Sequence, residues 1–197
     1  QGLHHHPQRS ILQRLTVPPL ANITALLLAG GQGTRVSHLL GDVPKPMAPV
    51  AGRPFIEWII RHLAAQGICR ALLSTGHRAQ TFADHFDPQP IPGVTLQCIP
   101  ESEPLGTAGG LLHVAHQTDH TPEAWLVLNG DSLAFLNLTT FTQALNDSDA
   151  VLAAREVSDT TRYGSLKIDA NNRLQAFREK QPGAGIINAG IYLLRPY

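Results

Sequence analysis

The chain has 197 residues, of which 43% are hydrophobic, and its fifteen basic and fifteen acidic side chains cancel. This length and apolar content suit one α/β domain with a substantial core. The balanced charge argues against nucleic acid or an anionic membrane as a bulk partner. The sequence shows no membrane-spanning apolar run and no charged-then-apolar leader, so we expect a cytoplasmic protein with no membrane partner.

Residues 1–22 are expected to form an N-terminal arm or a tag-derived segment, and residues 23–197 the domain. The arm contains His4, His5 and His6, followed by Pro7. A tag remnant and a natural arm are both compatible with this run. A metal site is disfavoured, because three adjacent histidines cannot share one preorganised site without further ligands.

Strands and helices alternate along the domain. In chain order, the pattern predicts a strand at 23–29, a helix at 54–66, a strand at 69–75, a helix at 79–85, a strand at 94–99, a helix at 107–116, a strand at 125–128, a helix at 138–145, a strand at 150–154, a hairpin of 164–168 and 173–177, and a strand at 186–194. This rhythm predicts an α/β fold with a mostly parallel, twisted sheet and helices on both faces. In such sheets ligands bind beyond the carboxyl ends of the strands, so the loops after those ends should converge on one pocket.

A glycine-rich loop ends the first strand: residues 28–35 read Leu-Ala-Gly-Gly-Gln-Gly-Thr-Arg. Glycines at 30, 31 and 33 leave backbone N–H groups open to phosphate oxygens, since no Cβ blocks a close approach. Val36 stands where a dinucleotide-binding loop needs its last glycine, which disfavours an NAD-dependent oxidoreductase. A P-loop is excluded because the Gly-Lys-Ser/Thr tripeptide is absent.

Two cations accompany this loop. Arg35 ends it, and Lys45 follows between Pro44 and Pro46, which fix φ on both sides of the lysine. Positive charge at two separate places suits a polyphosphate that is cut between two phosphorus atoms. Together the loop and the cations predict nucleotide chemistry.

An acidic residue, Asp131, follows the apolar strand 125–128 through Asn129 and Gly130. This position puts a carboxylate at the ligand-binding edge of the sheet. Mg²⁺ prefers oxygen ligands and bridges one or two carboxylates to substrate phosphates. Because Asn-Gly-Asp is also a good turn sequence, a turn or capping role is the alternative at this point.

Residues 101–110 read Glu-Ser-Glu-Pro-Leu-Gly-Thr-Ala-Gly-Gly and lead into a predicted helix. The bland interpretation is a helix entry with Thr107 as its cap. Together with the loop 28–35 and Pro-Lys-Pro, however, this segment resembles the sugar-1-phosphate nucleotidyltransferases, the nucleotide-sugar pyrophosphorylases. The motifs look most like those of D-glycero-α-D-manno-heptose 1-phosphate guanylyltransferases. Mannose-1-phosphate guanylyltransferases and N-acetylmuramate-1-phosphate uridylyltransferases share much of the pattern.

The resemblance implies the Rossmann-like fold of nucleotide-diphospho-sugar transferases and the transfer of a nucleotidyl group, with GTP favoured, to a sugar 1-phosphate with release of pyrophosphate. It implies catalysis by Arg35, Lys45 and Asp131, with Asp131 holding Mg²⁺. It implies a sugar-phosphate site near the C-terminal hairpin. The nucleotide-binding residues it implies are Leu28, Ala29, Gly30, Gly31, Gly33, Thr34, Glu101, Gly106 and Thr107, and the sugar-phosphate-binding residues are Asn129, Gly164, Glu179, Lys180 and Asn188.

The base preference rests on Glu101. The family reads the base edge from this position, and a carboxylate there accepts hydrogen bonds from N1–H and the exocyclic amine of guanine. Backbone groups can supply the same recognition, so other nucleotides stay open.

One departure from the family concerns the metal. The resemblance implies a second metal-binding Asp after the strand that ends at Leu194, whereas the sequence ends at Tyr197. We therefore expect that the domain lacks its C-terminal end. The alternative from another class is an inactive nucleotide-sugar-binding regulatory module. Members of the family often oligomerise, and the sequence leaves a homo-oligomer open.

Overall fold

The computed structural model describes residues 17–31, 37–76, 78–88, 90–146, 148–178 and 182–196. Its helices and strands are, in chain order, β1 (Ile23–Leu28), α1 (Ser37–Leu40), β2 (Pro49–Val50), β3 (Arg53–Pro54), α2 (Phe55–Ala65), β4 (Arg70–Thr75), α3 (Ala79–Phe86), β5 (Thr95–Pro100), α4 (Gly106–Gln117), β6 (Ala124–Asn129), α5 (Leu138–Gln143), β7 (Ala150–Val157), β8 (Ser165–Ile168), β9 (Leu174–Arg178) and β10 (Gly185–Leu194). Every strand and helix predicted from the sequence is present.

One mixed, eight-stranded sheet organises the chain. The strands β5, β4, β1 and β6 are neighbours in that order and run parallel. Beyond β6 the sheet is antiparallel: β10 pairs with β6, β7 and β8, and β8 pairs with β9. The predicted fold class is confirmed, with the parallel half built from the βαβ units and the antiparallel half from the predicted hairpin and its neighbours.

Helices cover both faces of the sheet because the parallel strands are apolar on both sides. The residues of β1 are buried throughout apart from the half-buried Leu28, as expected for a central parallel strand. One face packs on α2, whose Ile56, Ile59, Ile60 and Leu63 form a buried stripe at helical spacing. The other face packs on α4 through Val114. The carboxyl ends of β1, β4, β5 and β6 thus share one open edge.

The short β2–β3 hairpin was missed by the sequence analysis. Its turn residues Ala51 and Gly52 have φ of 48° and 81°, the left-handed region that a tight hairpin turn requires at both central positions. Alanine is an unusual residue there, so the sequence gives no strong turn signal. The hairpin is fastened to α2, since the indole of Trp58 donates to the Val50 carbonyl at 2.8 Å. It therefore anchors the segment that carries Lys45.

The segment that precedes β1 packs on the domain: Leu20 contacts the core, and the Asn22 amide donates to the Glu123 carboxylate at 2.8 Å. The two cysteines differ in exposure. Cys69 is exposed, whereas Cys98 is partly buried. Burial raises the pKa of the Cys98 thiol to about 11, with a smaller contribution from the charge of Asp87. None of the described helices is long and apolar enough to cross a membrane.

Candidate functional site

A cleft of about 340 Å³ opens at the carboxyl ends of the parallel strands. Its wall combines the loop after β1, the start of the Lys45 turn, the entry to α4 and the end of β6. The lining residues are Leu28, Ala29, Gly30, Gly31, Lys45, Pro46, Glu101, Pro104, Gly106, Thr107, Asn129 and Asp131. The loops after β1, β5 and β6 thus converge as predicted, whereas the loop after β4 supplies none of the described lining residues.

Lys45 is presented to this cleft by a single 3-10 turn, Lys45–Met47. The turn is closed by the Met47 N–H, which donates to the Pro44 carbonyl at 2.8 Å, and it is anchored because Pro46 and Met47 are buried. With φ fixed at both flanking prolines, little backbone freedom remains to be lost when Lys45 meets a ligand. The backbone at Lys45 is thus held at a defined place, while the lysine side chain stays 42% exposed.

Asp131 reaches the same place from β6. The turn before it packs tightly on the loop after β1: the Gly130 N–H donates to the Leu28 carbonyl at 2.9 Å, and a Cβ on Gly130 would lie 3.1 Å from that oxygen. Lys45 Nζ donates to Asp131 Oδ2 at 2.7 Å, and the Ser132 hydroxyl donates to Oδ1 at 3.3 Å. This pair is half exposed, so its net contribution to folding is about 1 kcal/mol or less. Its significance lies in where it puts the two charges.

The glycine loop comes close to the end of β4. A Cβ added to Gly76 would lie 2.8 Å from the Gly30 carbonyl oxygen, closer than real Cβ atoms pack. Around Gly31, by contrast, a Cβ would meet no atom of the described residues within 4 Å. Gly76 is thus required by packing against the protein itself. Gly31 lines the cleft and is not crowded by any described residue, as expected of a position that a ligand approaches.

Glu101 lies at the back of the cleft and is only 9% exposed. Its backbone N–H donates to the Thr75 carbonyl at 2.6 Å, which continues the strand register past β5. Its carboxylate accepts from the Ser74 hydroxyl through Oε1 and from the Leu105 N–H, at 3.2 Å, through Oε2. The residue predicted to read a base is therefore tied to β4 and to the entry of α4.

Two of the predicted sugar-phosphate residues lie at the join of β6 and β10. Asn129 lines the cleft, and its amide nitrogen would lie 2.7 Å from a Cβ on Gly190, whose φ is 73°. Asn188 donates to the Tyr192 hydroxyl at 2.6 Å and accepts from the Gly190 N–H at 2.8 Å. These bonds shape an irregularity in β10 between residues 188 and 192. Asn188 therefore stabilises the bulge, and Asn129 lies between the bulge at Gly190 and the cleft.

Other predicted residues lie apart or fall outside the description. Gly164 and Asn188 do not belong to the described lining of the cleft, and Gly164 sits beside the Arg178 carbonyl, which a Cβ would approach to 3.4 Å. Five predicted site residues lie outside the described residues: Gly33, Thr34, Arg35, Glu179 and Lys180.

The donor set suits a metal shared with a ligand. Within the described ranges, no group of three or more His, Cys, Asp or Glu side chains could hold an ion alone. Asp131 offers a carboxylate that is 34% exposed at the cleft. Mg²⁺ is commonly bound by one or two carboxylates plus substrate phosphates and waters, so a single carboxylate at an open cleft fits it.

Ser74 and Tyr192 were missed by sequence reasoning. Ser74 is the first polar residue after the apolar run of β4, and a hydroxyl at the end of a buried strand is the sequence feature that could have indicated it.

A larger cavity, about 660 Å³, lies at the opposite end of the parallel strands beside Asn22, Arg70 and Thr95. None of the predicted site residues is among the lining residues described for it.

Comparison with known proteins identifies the relatives of this chain. The sequence pattern of the nucleotidyl transferase family matches residues 24–197. The D-glycero-alpha-D-manno-heptose 1-phosphate guanylyltransferase of Campylobacter jejuni is 36% identical over 171 residues, which are 86% of this chain and 75% of that protein. The mannose-1-phosphate guanylyltransferase of Mycobacterium tuberculosis is 34% identical over 87% of this chain and 48% of its own length.

Solved structures agree with the sequence relatives. The crystal structure of HddC from Yersinia pseudotuberculosis superposes with a TM-score of 0.77 at 35% identity, covering 87% of this chain and 76% of that one. The same protein complexed with GMP-PN gives a TM-score of 0.76 at the same identity and coverage.

Proposed function

Because this chain belongs to the nucleotidyl transferase family, we propose that it transfers GMP from GTP to D-glycero-α-D-manno-heptose 1-phosphate. An oxygen of the sugar phosphate attacks the α-phosphorus, the bond from that phosphorus to the β-phosphate oxygen breaks, and pyrophosphate leaves. The observation that carries the proposal is the Lys45–Asp131 pair in a glycine-walled cleft at the carboxyl ends of the strands. The guanylyltransferase relatives support the choice of nucleotide and sugar.

The triphosphate is assigned to the loop after β1. Leu28, Ala29, Gly30 and Gly31 line the cleft, and a close phosphate contact at Gly31 is supported because no described residue crowds that position. In the proposal the loop continues through Gly33 and Thr34. Gly106 and Thr107, on the opposite wall, are assigned to the base and ribose, with Glu101 accepting from the guanine edge.

Charge neutralisation is assigned to Lys45 and Arg35. This reaction needs alignment and charge stabilisation rather than a covalent nucleophile. Lys45 exchanges the Asp131 carboxylate for an α-phosphate oxygen and stabilises the charge that builds on it. Arg35 stabilises the departing pyrophosphate. The rigid turn under Lys45 supports this role, because a preorganised cation reorganises little during the reaction.

Mg²⁺ is proposed as the cofactor, with Asp131 as its protein ligand. When bound, it would neutralise phosphate charge as a Lewis acid. The carboxylate next to the phosphate cleft supports this assignment. Exchange of Lys45 onto phosphate would make Asp131 Oδ2 available to the ion.

The sugar phosphate is assigned to Asn129, Gly164, Glu179, Lys180 and Asn188. Asn129 is supported by its place in the cleft wall. For Asn188 the contacts support an indirect contribution, since its amide already bonds to Tyr192 and Gly190. The proposed enzyme works on phosphorylated intermediates of the cytoplasm. Assembly into a homo-oligomer stays a prediction.

Pyrophosphate release from each of the four NTPs and from dTTP tests the proposal. Each nucleotide is paired with heptose-, mannose- and N-acetylmuramate-1-phosphate in the presence of Mg²⁺. We expect release with GTP and the heptose phosphate. Release with mannose 1-phosphate instead would reassign the sugar. Nucleotide binding without release from any pair would contradict the transfer reaction and favour a binding module.

A further inference from the structure

The carboxylate of Glu101 is held by two donors from different elements. The Ser74 hydroxyl, on β4, donates to Oε1, and the Leu105 N–H, at the entry to α4, donates to Oε2 at 3.2 Å. Ser74 has no exposed surface, so it cannot touch a ligand in the cleft. Any effect of this serine on a ligand must therefore pass through Glu101.

Two glycines confine the same carboxylate. A Cβ on Gly30 would lie 3.2 Å from Oε2, and a Cβ on Gly110 would lie 3.1 Å from Oε1. Backbone from the β1 loop and from α4 therefore packs directly against the two oxygens. With one donor on each oxygen and glycine backbone on two sides, the carboxylate has one favourable orientation.

This orientation matters for what the carboxylate can recognise. A carboxylate offers about four acceptor positions, so the two internal bonds leave acceptor capacity on each oxygen. Guanine presents N1–H and the 2-amino group side by side as donors. Hypoxanthine keeps N1–H and lacks the amine, and adenine presents an acceptor at N1. A fixed pair of acceptors separates these bases better than a carboxylate that can turn.

We propose that Ser74 is a positioning residue that sets nucleotide specificity by fixing the Glu101 carboxylate toward the guanine edge. This inference rests on the proposed function, in which Glu101 reads guanine. Ser74 contributes no contact to the substrate and no step to the transfer. Removing its hydroxyl leaves the Leu105 bond in place and lets the carboxylate rotate or take up water.

The test compares kcat/KM for GTP and for ITP with heptose 1-phosphate, in the wild type and in Ser74→Ala. The wild type should prefer GTP, and the GTP/ITP ratio should fall about tenfold in the variant, the scale of a hydrogen bond to a charged group. The lower kcat/KM of the variant for GTP should arise mainly from a higher KM, with a smaller change in kcat. Ser74→Thr retains a hydroxyl and should keep the GTP/ITP ratio of the wild type. Ser74→Cys is nearly isosteric but lacks the hydroxyl, and its ratio should fall as in Ser74→Ala.

Thr75→Val is the matched control. Thr75 is the next residue of β4 and is equally buried, and its hydroxyl has no hydrogen-bond partner among the described residues. The ratio should stay at the wild-type value in this variant. If Ser74→Ala keeps the wild-type ratio, or the wild type does not distinguish GTP from ITP, the inference is overturned. Failure of the wild type to turn over GTP at all would instead overturn the proposed function. Should Ser74→Ala not fold, Ser74→Cys decides by the same ratio.

Discussion

Lys45 and Asp131 are 86 residues apart in the sequence, yet Nζ and Oδ2 are 2.7 Å apart in the structure. The lysine comes from a proline-framed turn and the aspartate from the end of β6. The pair therefore joins two loops at one edge of the sheet. An exposed ion pair adds little to stability, so we attribute this arrangement to charge placement for phosphate chemistry.

Lys45→Ala should reduce kcat by roughly a hundredfold or more, because it removes a cation placed for the charge of the transition state. Nucleotide affinity, measured by calorimetry, should change only modestly. Lys167→Ala removes an exposed lysine on β8 and should leave both quantities unchanged. Near-normal turnover in Lys45→Ala would remove this residue from the mechanism.

Asp131→Asn should remove the dependence of GTP affinity on Mg²⁺, since the amide is a poor ligand for this ion. Turnover should fall roughly a hundredfold or more, as expected when a metal ligand is lost. GTP binding titrated with and without Mg²⁺ measures the first effect. Asp119→Asn, at an exposed site after α4, serves as the control. A Mg²⁺ dependence equal to that of the wild type would show that another group holds the ion.

Gly76→Ala and Gly31→Ala should separate packing from ligand approach. The new methyl at residue 76 collides with the Gly30 carbonyl and should lower the free energy of unfolding by about 1–3 kcal/mol. At residue 31 the methyl meets no atom of the described residues, so stability should change by about 0.5 kcal/mol or less, while KM for GTP rises. Urea unfolding and steady-state kinetics measure the two effects. Equal KM values for Gly31→Ala and wild type would place the phosphates elsewhere.

Glu57 predicts a pH dependence of stability. It is buried on α2, where Arg53, Arg61 and His85 donate to it at 2.6, 2.7 and 2.8 Å. Burial alone would raise the pKa of Glu57, but the hydrogen bonds from His85, Arg61 and Arg53 outweigh it and hold that pKa below the ordinary 4.5. A carboxyl with a depressed folded-state pKa contributes stability above pH 4.5 and loses it as the pH falls further.

Glu57→Gln should therefore lower the free energy of unfolding by about 2 kcal/mol at pH 7 and flatten its decline below pH 4.5. Unfolding measured from pH 3.5 to 7 tests this. The control is Glu123→Gln, whose carboxylate accepts from the Asn22 amide at the opposite end of the sheet. A variant that declines with acid as steeply as the wild type would assign the pH dependence to other groups.

The parallel half of the fold can be predicted from the sequence because its strands and helices have local hydrophobic patterns. Apolar runs such as 23–28 and the stripe of α2 predict a strand and a helix without knowledge of their partners. The β2–β3 turn could not be predicted from the sequence, because Ala51 adopts a positive φ that is unusual for alanine. The three strands that pair with β10 were not predicted either, since the register of β10 shifts at a bulge where Asn188 bonds to Tyr192.

The candidate site divides in the same way. Gly31, Lys45 and Asp131 stand in short motifs whose chemistry is visible in their residue types, and the topology brings them to one edge. Ser74 has no motif of its own. Its contact with Glu101 exists because β4 and β5 are neighbours and Glu101 follows the end of β5. Contacts between elements of this kind require the structure.

Phosphorus NMR of one reaction tests the central claim most directly. The wild type is mixed with GTP, heptose 1-phosphate and Mg²⁺, and the α-phosphorus of GTP is followed. We predict that this phosphorus becomes one of two coupled signals of a GDP-sugar, with one pyrophosphate formed for each GDP-sugar, and that Lys45→Ala gives neither product at a comparable rate. Conversion of GTP to GMP and pyrophosphate, or to GDP and phosphate, with no new diphosphate ester would contradict it.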